Sequence, residues 1–320
     1  MRTFFNSLFP SSASNFAPKV DHIYFALLLL CGAVAVLVCA AALFFCIRYR
    51  RGAKVDRTPP AARQWPFEVT WTAIPFLIFL GLFFWAAEVF FGMSRPPENA
   101  TDIYVVGKQW MWKVQHPDGR REINELHLPL GQPVRLIMSS EDVIHDFFVP
   151  GFRNKQDVVP GRYTTEWFTP TKTGNYHLFC SQYCGTDHSL MVGWVRVMEP
   201  AEYAKWLVEQ PAPDSLVAIG ERDFRTRGCS GCHAPNAAIR APLLDGIYGR
   251  KLPLSDSTLV TADDQYLRDS ILLPNKQIAA GYQPIMPTYQ GQISEEELNA
   301  IIAYLKSLGA AEPGSVRGEK

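Results

Sequence analysis

Cys180-Ser-Gln-Tyr-Cys184-Gly-Thr-Asp-His188-Ser-Leu-Met191 gathers two thiols, an imidazole and a thioether in one short stretch. Soft sulfur combined with imidazole selects copper, and a Cys/His/Met set is the ligand chemistry of electron-transfer copper. A single cysteine would suggest a mononuclear site. Two cysteines four apart, with both sulfurs able to face one point, can bridge a pair of copper ions. A pair needs a second histidine, and His145 follows a strand at 134–138 in Ser139-Ser-Glu-Asp-Val-Ile-His145. The alternatives are a structural disulfide between Cys180 and Cys184, and a zinc site, which the methionine opposes.

The surroundings of this loop read as β structure. Segments 103–106, 110–115, 134–138, 164–168, 174–179 and 192–197 are short β-branched or aromatic runs parted by Pro and Gly turns, the pattern of a Greek-key sandwich or barrel. Around residue 201 the pattern changes to helices at 201–209, 217–227, 265–273 and 294–308. The last of these has Ser294 as N-cap and Glu295 to Glu297 in its first turn. The proline-containing stretch 210–214 reads as a linker.

A second motif lies in the helical part: Cys229-Ser-Gly-Cys232-His233 is a c-type haem attachment sequence. The cysteines would form thioethers and His233 would supply the proximal nitrogen. Beyond His233 the chain has no further histidine and one methionine, Met286, which makes Met286 the expected sixth ligand. A His/Met pair raises the haem potential, as a carrier that feeds copper requires.

Toward the N-terminus, residues 23–47 carry no charge. As a helix that run is roughly 37 Å long, more than the ~30 Å hydrocarbon core of a bilayer. A second uncharged run spans 69–87, with Trp65, Trp71 and Trp85 near its ends. The loop between them holds Arg48, Arg50, Arg51, Lys54, Arg57 and Arg63 against Asp56. The positive-inside rule puts this loop in the cytoplasm and both termini outside. The first run is too long and too far from the start for a simple signal peptide, although removal of a short leader stays open. Across all 320 residues the acidic and basic counts balance, which gives no support to nucleic-acid binding.

Taken together these motifs resemble the subunit II family of cytochrome c oxidases, with a class I cytochrome c fused behind it. The resemblance spans about residues 20–310. It implies a multi-domain chain: an extracytoplasmic segment 1–21, a transmembrane hairpin at 22–93 (helices 22–47 and 68–91), a cupredoxin domain at 95–200, a linker at 201–214, a cytochrome c domain at 215–309 and a disordered tail at 310–320. It implies a dinuclear copper centre of the CuA type, in which Cys180 and Cys184 bridge, His145 and His188 cap one copper each, and Met191 and the Gln182 carbonyl are weak ligands. The family usually has Glu where this chain has Gln182. A carbonyl ligand survives that change, but the carboxylate that helps hold an interfacial magnesium ion does not, so the resemblance leaves magnesium open.

Gly107-Lys-Gln-Trp110-Met-Trp112 is similar to the family's aromatic box, with Lys108 and Met111 replacing commoner residues. Trp110 is then the point at which electrons arrive. Glu68 matches the family carboxylate at the mouth of a proton pathway, and at a helix start it is also favoured by the dipole. Asp157 and Arg162 match positions near the catalytic subunit. The resemblance implies a subunit of a bacterial inner-membrane oxidase whose partners are the haem–copper subunit I, subunit III, and a cytochrome c or other periplasmic donor. Electrons would pass from haem to copper to subunit I, which reduces oxygen to water and pumps protons. Two helices without a histidine pair cannot hold the oxygen site. The alternatives are a copper-delivery protein using Cys180 and Cys184 as thiol donors, and a subunit of a CuA-type nitric oxide reductase. His177, His22, His116 and His127 read as ordinary histidines.

Overall fold

The computed structural model describes residues 9–57, 65–209, 214–234, 237 and 241–309. Arg63, residues 210–213 of the expected linker and the expected disordered tail lie outside the described residues.

Two long apolar helices come first, α1 (Ala17–Arg48) and α2 (Trp65–Met93). Neither buries its apolar run inside the molecule. Leu29, Val36, Phe67 and Trp71 all face outward, so the solvent these helices fit is hydrocarbon. Helix α1 starts ahead of the apolar run because Ser14 Oγ accepts from the N–H groups of Phe16 and Ala17, and Pro18 occupies the first turn, where it costs no hydrogen bond. Helix α2 also begins earlier than expected, which places Pro75 deeper than its first two turns. In a membrane span such a proline is tolerated.

Both membrane-distal ends of the hairpin are tied to the β domain. Ala13 N–H donates to the Gly151 carbonyl at 2.9 Å, Arg153 pairs with Asp21 at 2.7 Å, and Trp167 Nε1 donates to the Gly92 carbonyl at 3.0 Å. The basic loop after α1 therefore sits at the opposite end of the hairpin from the β domain.

That domain has two five-stranded sheets packed face to face. The first runs β3 (Arg121–Ile123), β2 (Met111–Gln115), β1 (Thr101–Lys108), β5 (Val134–Ser140), β8 (Thr164–Phe168). The second runs β4 (Glu125–Pro129), β10 (Val192–Met198), β9 (Gly174–Cys180), β6 (His145–Val149), β7 (Asn154–Val158). Inward residues alternate along the strands, and Trp112, Leu136, Phe147, Phe168, Leu178 and Val195 meet in one core. Sequence patterning misses β3, β4, β6 and β7. These are short, or carry polar residues such as His145, Asp146 and Asn154 at buried positions, and hydrophobic alternation cannot show them.

Helix α3 (Pro200–Glu209) follows β10 and packs on the barrel through Trp206, which stacks on His127 at 4.4 Å. The C-terminal unit comprises α4 (Leu216–Thr226), the short α5 (Ser230–His233), a hairpin of β11 (Lys251–Pro253) and β12 (Leu259–Thr261), α6 (Asp264–Leu272) and α7 (Glu295–Ser307). Ser215 and Asp263 cap α4 and α6, and Ser294 with Glu297 forms a reciprocal capping box on α7. Phe224, Leu267, Ile271, Leu298, Ile302 and Leu305 form its core.

This unit docks on the outer face of the first sheet, where Tyr104 and Ile137 meet Leu216, Ile219 and Ala300. Strand β1 is consequently buried on both faces, and its continuous apolar run follows from that.

Helices α4 and α7 cross at Gly220, where an added Cβ would lie 1.9 Å from the Ala300 carbonyl oxygen. Backbone against backbone cannot yield as a flexible side chain would. Gly220→Ala should destabilise the C-terminal unit by about 3 kcal/mol and leave the barrel intact. Denaturant melts with separate reporters for the two units check this; a shared, unshifted transition would contradict the crossing geometry.

Candidate functional site

Strand β9 ends on Cys180 and strand β10 starts just after Met191, so the ligand-rich loop joins two paired strands. Cys180 N–H donates to the Met191 carbonyl at 3.2 Å and closes the loop at its base. Within it Cys180 Sγ lies 3.7 Å from Cys184 Sγ, and both thiols are free. Cys184 Sγ lies 3.4 Å from His188 Nδ1 and 3.9 Å from Met191 Sδ. Cys180 Sγ lies 3.2 Å from the Gln182 carbonyl and 3.9 Å from His145 Nδ1. The fold thus brings together all six residues that the sequence singled out for this centre. His145 arrives from β6, which pairs with β9 through Phe147 and Cys180.

The surrounding residues fix how these donors point. Asp142 Oδ1 lies 2.8 Å from His145 Nε2, and a carboxylate accepts. Nε2 therefore carries the proton, and the Nδ1 lone pair faces the cysteines. Asp142 is held in turn by the N–H groups of Gln109 at 2.8 Å and Val143 at 2.7 Å. Gly107 is required beneath the imidazole, since a Cβ there would lie 2.8 Å from His145 Cδ2. Gln109 Nε2 donates to the Cys184 carbonyl at 2.8 Å, and Trp110 lies against Gly185, whose φ of +122° suits glycine. Trp110 is half-buried in the turn between β1 and β2 rather than in the strand that patterning suggests.

Burial and the neighbouring Cys180 push the Cys184 thiol up. Two buried sulfurs, two imidazoles, a thioether and a carbonyl are a donor set suited to soft, redox-active copper.

The C-terminal unit encloses a cavity of about 630 Å³, within the roughly 300–1,000 Å³ range of cofactor pockets. Cys229, Cys232, His233 and Met286 line it together with core residues such as Leu267 and Leu305. His233 Nδ1 donates to the Pro242 carbonyl at 2.8 Å, which leaves Nε2 as the free donor, as an iron-ligating histidine requires. The cavity walls and the four residues fit a covalently attached haem. Glu68 sits exposed in the first turn of α2, at the end of the hairpin remote from the barrel.

Architecture and site together define a membrane-anchored redox protein that joins a copper-binding β domain to a c-type cytochrome. Residues 3–89 match the family described as cytochrome c oxidase subunit II, transmembrane domain; residues 120–198 match its periplasmic domain; and residues 217–309 match cytochrome c. Cytochrome c oxidase subunit 2 of Thermostichus vulcanus is 32% identical over 63% of this chain and 78% of its own length. That of Alkalihalophilus pseudofirmus is 30% identical over 85% and 82%. Among solved structures, the periplasmic domain of subunit II of Bradyrhizobium japonicum cytochrome oxidase is 32% identical over 36% of this chain and 96% of its own, with a TM-score of 0.35. The chain belongs to the cytochrome c oxidase subunit 2 family, and it carries a fused C-terminal cytochrome c domain.

One cluster escaped the sequence reading. Two histidines taken as ordinary share a single buried carboxylate: Glu122 lies 2.6 Å from His116 Nε2 and 2.5 Å from His127 Nδ1. Glu125 stands close enough for a shared cation, but it pairs with Arg196 at 2.7 Å, and the imidazoles bond the carboxylate directly. The cluster is closed by protons. Arg120 lies over the far side of the arrangement, 4.3 Å from the Trp206 ring. The histidine spacing alone held no signal, because the strands that unite them are themselves illegible.

Burial would raise the Glu122 carboxyl, yet the two imidazoles hold it down, from 4.5 to about 2. A depressed carboxyl stabilises the fold above its unfolded value, and that contribution is lost as pH falls through the folded one. Glu122→Gln should therefore cost on the order of 3 kcal/mol near neutrality. The difference from wild type should shrink between pH 4.5 and about 2. Urea melts at several pH values check this, and a pH-independent difference would mean the pairing contributes nothing.

Proposed function

We infer that this chain is the electron-input subunit of a cytochrome c oxidase. Cys229, Cys232, His233 and Met286 would hold a c-type haem, and His145, Cys180, Gln182, Cys184, His188 and Met191 a dinuclear copper centre; the two would serve as one-electron carriers toward a haem–copper partner that reduces oxygen and pumps protons. The observation that carries this reading is the convergence of six copper-type donors in a chain that also holds a haem cavity. When bound, the two groups supply reversible one-electron carriage.

The chain's own residues do the rest. Cys180 and Cys184 present adjacent sulfurs 3.7 Å apart, and Asp142 fixes the tautomer and direction of His145. A buried Met191 and the barrel core keep the donors from rearranging when charge changes, so little reorganisation accompanies transfer. The Pro242 carbonyl does for His233 what Asp142 does for His145. Trp110, against Gly185 of the copper loop, would be the point at which electrons enter the copper centre. Glu68 sits on the cytoplasmic side of the membrane with the basic loop, at the mouth of a proton path into the partner. The barrel and the cytochrome face the periplasm. The units divide at 95–200, 201–214 and 215–309, and Gln182 leaves no carboxylate for an interfacial magnesium ion.

Metal analysis and EPR of the purified full chain test the reading. Two coppers sharing one unpaired electron, beside one covalent low-spin haem, are expected, and Cys180→Ser should abolish the copper signal while sparing the haem spectrum. One loosely held copper in the wild type would favour copper delivery instead. Met286→Ala should leave haem attached and lower its reduction potential; an unchanged potential in redox titration would assign the sixth ligand elsewhere.

A further inference from the structure

The first turn of α7 touches both halves of the redox apparatus. On the cytochrome side, Glu297 accepts from Arg227 Nη2 at 2.6 Å. Arg227 lines the haem cavity, and its carbonyl accepts from Tyr289, another cavity residue, at 2.9 Å. On the barrel side, Glu296 pairs with Lys113 at 2.8 Å, and the same ammonium pairs with Glu141 at 2.8 Å. Glu141 immediately precedes Asp142, the residue that orients His145. Glu295 accepts from Ser139 Oγ at 2.9 Å while held by both terminal nitrogens of Arg268, at 2.5 and 2.6 Å.

These pairs are not surface decoration. The Lys113, Glu141 and Glu296 side chains are 22%, 19% and 16% exposed, and Arg268 is 3% exposed. Partly desolvated, hydrogen-bonded charges of this kind fix geometry more than exposed pairs do. Two further anchors lie along the same helix: Tyr163 donates to Asn299 at 2.5 Å, and Lys306 bonds Asp102 at 3.1 Å. The anchors follow one helix across the sheet, which sets both the position and the rotation of the cytochrome unit.

We propose that Lys113, with Glu295 and Glu296, sets the docked pose through which the cytochrome unit passes electrons to the copper loop; these are positioning residues for an intramolecular step. This rests on the function inferred above. The step moves one electron, oxidising the haem iron by one unit and reducing the copper pair by one, with no bond made or broken and no proton required. A fixed pose removes the search that a tethered carrier would make before each transfer. The pose also ends one residue from Asp142, so the contact that orients the cytochrome also steadies the strand end bearing a copper ligand.

The test uses the full chain in detergent. Haem-to-copper transfer is followed after rapid photoreduction of the haem in wild type, Lys113→Met, Lys113→Arg and Glu295→Gln. Amide hydrogen exchange in β1 and β5 is measured on the same proteins without copper. In wild type the rate should be independent of viscosity. In Lys113→Met it should fall about tenfold and become viscosity-dependent, with faster exchange in β1 and β5, unchanged exchange in β9 and β10, and unaltered haem and copper spectra. Lys113→Arg should restore both. Wild-type rates and exchange in both Lys113→Met and Glu295→Gln would overturn the proposal. Should Lys113→Met fail to fold, Glu295→Gln decides alone. Absence of any haem-to-copper transfer in wild type would instead sink the inferred function, and the two failures are thereby distinct.

Discussion

The antiparallel pairing of β9 with β10 is the constraint from which the copper loop follows. The ladder runs from Gly174 opposite Val197 to Phe179 opposite Val192, so the chain must reverse between Cys180 and Met191. The reversal gathers the sulfurs of Cys180, Cys184 and Met191 in one closed loop. Strand β6 then lies beside β9 and delivers His145, and the turn between β1 and β2 supplies Gln109 and Trp110 beneath Gly185. None of these contacts needs the others to be strong. Each is a consequence of strands that are already paired for reasons of backbone hydrogen bonding and core burial.

This explains what was legible in the amino-acid order and what was not. A loop bounded by two patterned strands keeps its ligands in sequence order, so Cys180, Cys184, His188 and Met191 could be read together. The haem motif is local in the same sense. Met286, which lines the cavity, stands out by elimination, since no other histidine or methionine follows His233. Long-range encounters were not readable. The strand from His145 to Val149 does not alternate, and its first two residues, a histidine and an aspartate, are both buried. Glu122 shows the same difficulty, because it lies on β3 and meets His127 from β4, two strands with no visible period, beside His116 just past β2.

The three glutamates that open α7 show a subtler limit. In the sequence they form one feature, acidic residues in a first turn that favour the helix dipole. In the structure they divide their work. Glu297 completes the capping box and reaches Arg227. Glu296 turns toward Lys113, and Glu295 toward Ser139 and Arg268. Only the first role is a property of the helix. The other two exist because Tyr104 and Ile137 bring the sheet against α4 and α7, and apolar burial there excludes water from the charges at its edge. Nondirectional burial draws the units together, and directional hydrogen bonds then select one arrangement among the many that burial would accept.

The distribution of covered and uncovered surface leaves one edge of the barrel open. The membrane hairpin holds the barrel near Gly151, Arg153 and Trp167, and the cytochrome unit covers the outer face of the first sheet. Neither reaches the tip of the copper loop, where Tyr183 and Leu190 are 76% and 68% exposed, nor Ile144 beside His145, at 43%. Large apolar side chains gathered at a redox centre cost solvation unless another protein covers them. The exposed tip is therefore a face that the fold leaves for another protein to cover.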